Sequence, residues 1–229
     1  MFDKELSVNS IKLFEGLKSR IIEMGANIVL GKDAKLDREG GMIKSIGYEG
    51  GVITADNYVA AGGSWSNELL APTGYNPQII PGRGLTLLFS TGGKRVVSSP
   101  SLIEPEGIAV AQHDSNTMRV TSFFEFKGID GKFSKNRKRF LLNILEDKIA
   151  KYSRMKLVYE GYGFRPCTPD QMPVIGRVPK LSNLYIAGGQ CRLGITLAPI
   201  TGTIIRDLIE GKKPKAAGLS YMSPERFAK

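Results

Sequence analysis

Apolar residues at Ile11, Phe14, Leu17, Ile21 and Met24 recur close to every 3.6 positions, which predicts an amphipathic helix over residues 5–24 closed by Gly25. The spacing then shortens. Ala-Asn-Ile-Val-Leu at 26–30 reads as a brief strand, and 42–48 with 51–55 as a hairpin turning at Glu49-Gly50-Gly51. A further strand at 56–61 is stopped by Gly62 and Gly63, and Ser64 is placed as the cap of a short helix, SWSNELLAP, that Pro72 helps to end. From residue 76 the texture becomes one of short strands at 85–90, 95–98, 107–111 and 118–124, divided by Gly, Pro, Asn and Asp. These predict an antiparallel sheet, followed by a helix over 134–152 and a strand over 156–164. The proline-rich run RPCTPDQMPVIGRVPK is assigned to no regular element. Residues 183–187 form a short buried strand, and 195–210 a helix capped by Gly211.

This order predicts an α+β fold. Helix and strand pieces at both ends enclose a block of antiparallel strands, so one domain is expected from residues 1–75 and 158–229, with a second, 76–157, inserted. Ligand clefts favour such junctions.

Composition narrows the function. The chain has 229 residues, 41% hydrophobic and 24% charged, which is a globular balance. No window approaches the run of about 18 apolar residues that a spanning helix needs. The start, MFDKELSVNS, has no apolar core of a signal peptide, so a cytoplasmic location is expected, with peripheral membrane contact as the alternative. Two cysteines and one histidine do not supply a disulfide framework or a zinc cluster, and no metal site is expected. The net charge of +10 is concentrated in KFSKNRKRF (132–140) and in the tail from Lys212, with Lys94 and Arg95 as a smaller group. An amphipathic helix pattern follows the first cluster. It therefore reads as a solvated helix start, with a phosphate-binding patch as the alternative, and no nucleic acid partner is expected.

Backbone approaches a phosphate or an aromatic ring most closely at glycine, so glycine turns after strands are the places to search. A dinucleotide fingerprint, G-x-G-x-x-G, is absent: Gly82-Arg-Gly84 has Leu87 at its third position, Gly161-Tyr-Gly163 has Pro166, and Gly62-Gly63 is wrongly spaced. G-x-x-x-x-G-K-[ST] is absent too. Two strand-to-glycine turns remain, YVAAGGSW and LYIAGGQCRLGITLAP, each readable as a tight β–α turn or as a ligand contact. In the second, a helix starting at Ile195 or Thr196 offers unpaired N–H groups to an anion or an electron-rich ring edge. Arg165 ends a strand just before a proline, where a rigid backbone aims its fork of donors at a carboxylate, and Arg192 lies inside the second turn. A surface salt bridge is the alternative for either. Cys167 and Cys191 each lie within two residues of one of these arginines; buried free thiols are expected, with a redox pair or disulfide as the alternative. His113, between Gln112 and Asp114, reads as an exposed strand end and not as a base.

Five blocks in order, TADNYVAAGGSWSNELL, PGRGLTLLF, MRVTSFFEFKGID, GYGFRPCTPDQMPVIGRVP and NLYIAGGQCRLGITLAPITGTIIRDLIEG, resemble the FAD-dependent amine and amino-acid oxidoreductases of the D-amino-acid oxidase superfamily. The chain looks most like D-amino-acid dehydrogenases, with glycine oxidase as a near relative, over residues 9–214. The resemblance implies that Ala61, Gly62 and Gly63 lie against FAD, and that Gly188, Gly189, Gly194, Ile195 and Thr196 run along the flavin ring. The helix beginning there would stabilise negative charge at the N1 and C2 carbonyl edge of the reduced ring. It implies catalytic roles for Arg165, which matches the carboxylate-binding arginine of G-x-R-P-x-T-P-D, and for Arg192, which matches a second arginine of glycine-oxidase-like members. The implied substrate is a small amino acid. The implied reaction is hydride transfer from its Cα to flavin N5, giving an imino acid that hydrolyses to a 2-oxo acid and ammonia. No protein base is required if the amine arrives neutral.

One departure accompanies the resemblance. Members begin with a strand–glycine turn–helix unit carrying G-x-G-x-x-G, which holds the ADP half of FAD, and it is missing here. The chain is then expected to be a truncated or internally initiated product, half of a split enzyme, or an inactive remnant or non-catalytic subunit. FAD binding by this chain alone is expected to be weak or absent, and a chain carrying the missing unit is the expected partner.

Overall fold

A computed structural model describes residues 8–31, 34–104, 106–112, 114–129, 134–149 and 154–228. His113, Lys132, Phe133 and the end of the helix expected at 134–152 lie outside these residues. The architecture is mixed helix and sheet, and it divides into two compact units, Met1–Leu30 with Gly84–Phe123 and Lys132–Tyr162, and Gly31–Arg83 with Phe124–Gly131 and Gly163–Lys229. No helix among the described residues is long and apolar enough to cross a membrane.

In the first unit, helix α1 spans Ser10–Glu23. The Asn9 carboxamide accepts from Lys12 N, and Gly25 leaves the helix with φ +88°. The helix forms where the 3.6-residue period predicts it, yet it buries none of its residues. Residues 26–30 form no strand, and Leu30 is exposed. The chain enters this unit again in β5 (Ile80–Ser90), followed by β6 (Ser101–Ile103), β7 (Ile108–Ala111), β8 (Thr117–Glu125) and, after α3 (Lys135–Lys148), by β9 (Lys156–Cys167). These five strands form a sheet in the order β6-β7-β8-β5-β9, and β5, β8 and β9 contribute residues to both units. Leu85, Leu87 and Phe89 alternate inward along β5 onto Met118 and Val120 of β8 and onto Leu141 and Leu145, one turn apart on α3. The strand expected at 95–98 does not form. The Gln112 side chain takes its hydrogen bonds, accepting from Val96 N and Val97 N and donating to Lys94 O, so no neighbouring strand can pair there.

The second unit carries two smaller sheets. Strands β1 (Lys35–Glu39), β2 (Met42–Tyr48) and β3 (Gly51–Ile53) form an antiparallel meander, in which the predicted hairpin is present and β1 had no sequence expectation. Strand β4 (Tyr58–Ala60) pairs in parallel with β11 (Leu184–Gly188), which pairs antiparallel with β10 (Val174–Arg177). Strand β10 corrects the expectation of an irregular run: Pro173 and Pro179 fall just outside it, and Val174 and Ile175 are buried. The irregular assignment also cut β9 short, since that strand continues through Pro166 to Cys167 at the sheet edge, where a missing N–H is tolerated. Ser64 is corrected as well. It lies inside a 3-10 turn, Gly63–Trp65, and α2 (Ser66–Leu70) begins after it without a side-chain cap. Helix α4 (Gly194–Ile209) packs Ile204 and Ile205 against Ile175 and Tyr185, and Gly211 follows with φ +70°. A short helix, α5 (Leu219–Met222), precedes the C-terminal turn.

The buried Asn183 side chain locks the meander to the second sheet. Its Oδ1 accepts from Ile43 N at 2.8 Å and its Nδ2 donates to Ile43 O at 2.9 Å, while its own carbonyl accepts from Tyr58 N at 2.8 Å. Asn183→Ala strands both polar groups of a buried residue, so unfolding in urea is expected to show a loss of about 3 kcal/mol. A loss well under 1 kcal/mol would show that water replaces the carboxamide.

Candidate functional site

Because β4 and β11 run parallel, with Ile186 opposite Ala60, the chain leaves both strands at the same end of the sheet. Ala61, Gly62 and Gly63 follow the first strand, and Gly189 follows Gly188 at the end of the second. In open sheets with parallel strands, this carboxyl end is where ligands gather. The two turns touch through Ser66: its Oγ lies 3.5 Å from where a Cβ on Gly62 would stand and 3.8 Å from one on Gly188.

The glycines divide into two kinds. A Cβ on Gly188 would stand 3.0 Å from Ile79 Cδ1, and one on Gly189 would stand 3.0 Å from Thr168 Cγ2 and 3.1 Å from Val174 N. Gly189 also has φ +75°, so internal packing and backbone conformation already demand glycine there. Gly63, at φ +54°, and Gly194 have no atom within 4 Å of a would-be Cβ. Beside Gly63, Ser64 Oγ is buried without a hydrogen-bond partner among the described residues. At the other turn, α4 starts at Gly194 with no side chain accepting from its first N–H groups, and Gly194, Ile195 and Thr196 are exposed.

Strand β9 is stitched to the second turn. Cys167 forms a β-bridge with Gln190, Cys191 N donates to Pro166 O at 2.9 Å, and the two sulfurs are bonded in a disulfide. The expectation of free thiols is thereby corrected: the backbone pairing holds the two Cα atoms 4.4 Å apart, within disulfide range. Cys191 adopts a left-handed conformation, φ +49°, which is uncommon for a residue with a Cβ. Arg165, two residues before the stitch, and Arg192, directly after it, therefore stand at neighbouring points of the site. Arg165 is half-buried, with its guanidinium 5.4 Å from the centre of the Phe124 ring, and Arg192 is exposed. The first turn also meets β9, because Trp65 packs edge-on against Phe164 at 5.9 Å.

Sequence reasoning missed Trp65, the Phe124 contact and a buried ion pair, Arg83 Nη2 to Glu125 Oε2 at 2.9 Å. The signal for the pair was a lone charge within each of P-G-R-G and F-F-E-F. Of the basic cluster, Lys138 pairs with Glu160, and Arg137 lies over the Phe123 ring at 5.1 Å.

Asp170, in the T-P-D run after β9, receives Arg226 Nε at 2.7 Å. Partial desolvation pushes its carboxyl upward, but hydrogen bonds from Arg226, the Met172 backbone and Thr168 outweigh that and hold it below the ordinary value.

A family model described as FAD dependent oxidoreductase (DAO) matches residues 1–208. Among solved structures, the chain superposes on iminodiacetate oxidase from Chelativorans sp. BNC1 with a TM-score of 0.79 and 21% identity, covering 93% of this chain and 59% of that one. Glycine oxidase from Geobacillus kaustophilus gives a TM-score of 0.73 and 24% identity, with 87% and 52% covered. L-amino acid deaminase from Proteus vulgaris, lacking its specific insertion sequence, gives 0.73 and 23%, with 91% and 53% covered. The chain thus spans a little over half the length of these structures, and at such identities the likeness shows the fold.

The Asp170–Arg226 pair makes a pH-dependent contribution. A carboxyl lowered in the folded state stabilises above its unfolded pKa of about 3.9, and that contribution is lost as pH falls through the folded value. Asp170→Asn is therefore expected to be less stable than the parent at pH 7, with the gap closing as pH falls below about 4. A gap independent of pH would remove the assignment.

Proposed function

The chain belongs to the family of FAD dependent oxidoreductases, and from that premise we propose that it provides the substrate-carboxylate and flavin-ring contacts for oxidative deamination of a D-amino acid or related small amine acid. The observation that carries this reading is the placement of Arg165 at the end of a strand stitched to the glycine turn ahead of α4. The D-configuration rests on the resemblance of the five sequence blocks.

The residues at the two turns suit FAD. The open space at Gly194, the buried Ser64 Oγ with no hydrogen-bond partner among the described residues and the uncapped start of α4 are features a bound ring system would use, whereas Gly63 is explained by its left-handed backbone and Gly188 and Gly189 by packing. We assign Ala61, Gly62 and Gly63 to one side of the cofactor and Gly194, Ile195 and Thr196 to the ring edge, with Gly188 and Gly189 shaping the turn. The chemistry FAD supplies when bound is acceptance of the hydride from the substrate Cα, which leaves an imine that water hydrolyses to a 2-oxo acid and ammonia. Arg165 holds the carboxylate through a charge-assisted fork and so orients the Cα–H. The N–H groups of Gly194, Ile195 and Thr196 present the positive end of α4 to an electron-rich edge. Arg192, exposed beside the stitch, is a second cation for the carboxylate.

The parallel pair β4–β11 supports a reading of the two chain ends as part of a Rossmann-like FAD-binding domain, and most of the inserted segment 76–157 falls in the first unit. No G-x-G-x-x-G occurs among these 229 residues, so the ADP half of FAD is not assigned to them. The alternative reading is a non-catalytic subunit.

With the dinucleotide-binding unit supplied in trans, dye reduction with a panel of D-amino acids tests the proposal. Arg165→Ala is expected to lower kcat/KM by about 100-fold or more, from the roughly 3 kcal/mol lost when a charge-assisted partner is removed. Unchanged apparent substrate affinity would overturn the carboxylate assignment, and no reduction with any substrate would favour the subunit reading.

A further inference from the structure

Strand β8 breaks its own alternation just before the candidate site. Met118, Val120 and Ser122 point inward, so continued alternation would bury Phe124. Phe123 instead adopts φ +68°, an outlying conformation for a bulky residue, and the phase shifts: Glu125 becomes buried with Arg83, and Phe124 turns outward, 42% exposed. Such a break re-aims a side chain at the cost of local strain, and strain of this kind gathers at functional sites.

The outward ring has a prepared seat. Strand β5 lies between β8 and β9, and its Gly82 stands beneath the Phe124 ring, where a Cβ would meet Phe124 Cζ at 2.7 Å. Gly82 does not need glycine for its backbone, since its φ lies outside the left-handed region. Its missing side chain lets the ring lie across β5 toward β9, where Arg165 places its guanidinium 5.4 Å from the ring centre. Phe126, 60% exposed, meets Phe124 edge-on at 5.0 Å and extends the apolar surface. A purely structural aromatic pair would be expected in a core, yet neither ring belongs to one of the buried clusters.

We propose that Phe124 and Phe126, seated on Gly82 beside Arg165, form a subsite for the side chain of the substrate, and that this side chain is aromatic or comparably large and apolar. The proposal rests on the reading of Arg165 as the carboxylate holder. With the carboxylate on Arg165, a ring two carbons away reaches the Phe124–Phe126 surface, where the edge-on geometry already adopted by those rings is the favoured aromatic contact.

Calorimetric titration of the purified chain with propanoate and with 3-phenylpropanoate, acids that differ only in the ring, tests this without cofactor or turnover. 3-Phenylpropanoate is expected to bind about tenfold more tightly, the order of effect for burying a ring. Phe124→Ala should remove most of that advantage. Gly82→Ala, which displaces the ring while keeping it, should do the same, and serves if the first variant unfolds. Arg165→Ala should weaken both acids alike. Equal affinities in the parent with both weakened by Arg165→Ala would overturn the ring subsite alone, as would an advantage that survives in both Phe124→Ala and Gly82→Ala. Unchanged affinities in Arg165→Ala would overturn the carboxylate reading and the proposal with it.

Discussion

The candidate site depends on one junction, between the end of β9 and the turn before α4. A single β-bridge at Cys167 and Gln190, the hydrogen bond from Cys191 N to Pro166 O and the bond between the two sulfurs hold segments 24 residues apart in sequence. Without it, Arg165 would stand at the loose edge of a sheet and the glycine turn would be an ordinary β–α connection. With it, the strand end that carries Arg165 is held beside the turn that leads into α4.

The parallel pairing of β4 and β11 supplies the other half of the geometry. It sends two turns out of the same end of the sheet, and the Trp65–Phe164 contact then ties the first turn to β9. Around this frame, glycine serves two purposes that the letter alone does not separate. At Gly188 and Gly189 a side chain would collide with Ile79, Thr168 and Val174, so the core demands glycine. At Gly63 the left-handed φ of +54° already favours glycine, and at Gly194 nothing among the described residues would obstruct a side chain.

Much of the fold was legible because it follows local periodicity. The α1, α3 and α4 helices, the hairpin at Glu49-Gly50-Gly51 and the strands β5, β7, β8 and β11 lie where apolar spacing and turn residues place them. The errors share a cause, namely partners distant in sequence. Residues 95–98 look like a strand, but the Gln112 side chain takes the Val96 and Val97 N–H groups, and residues 26–30 look like one but pair with no strand among the described residues. Strand β10 was hidden by prolines that turn out to bracket it. The disulfide could be entertained from the proximity of two arginines but was decided by backbone pairing. Phe124 was illegible for a subtler reason, since its exposure follows from one left-handed residue, Phe123, whose conformation no local pattern announces.

The central claim is that a carboxylate binds at Arg165 beside the two glycine turns. Amide and guanidinium NMR of the uniformly labelled chain during titration with propanoate tests it most directly. Shifts concentrated at Arg165 Nε–H, at Gln190 to Arg192 and at Gly63 to Trp65 are the predicted result. Saturable shifts that leave these groups unmoved and gather elsewhere on the chain would contradict it.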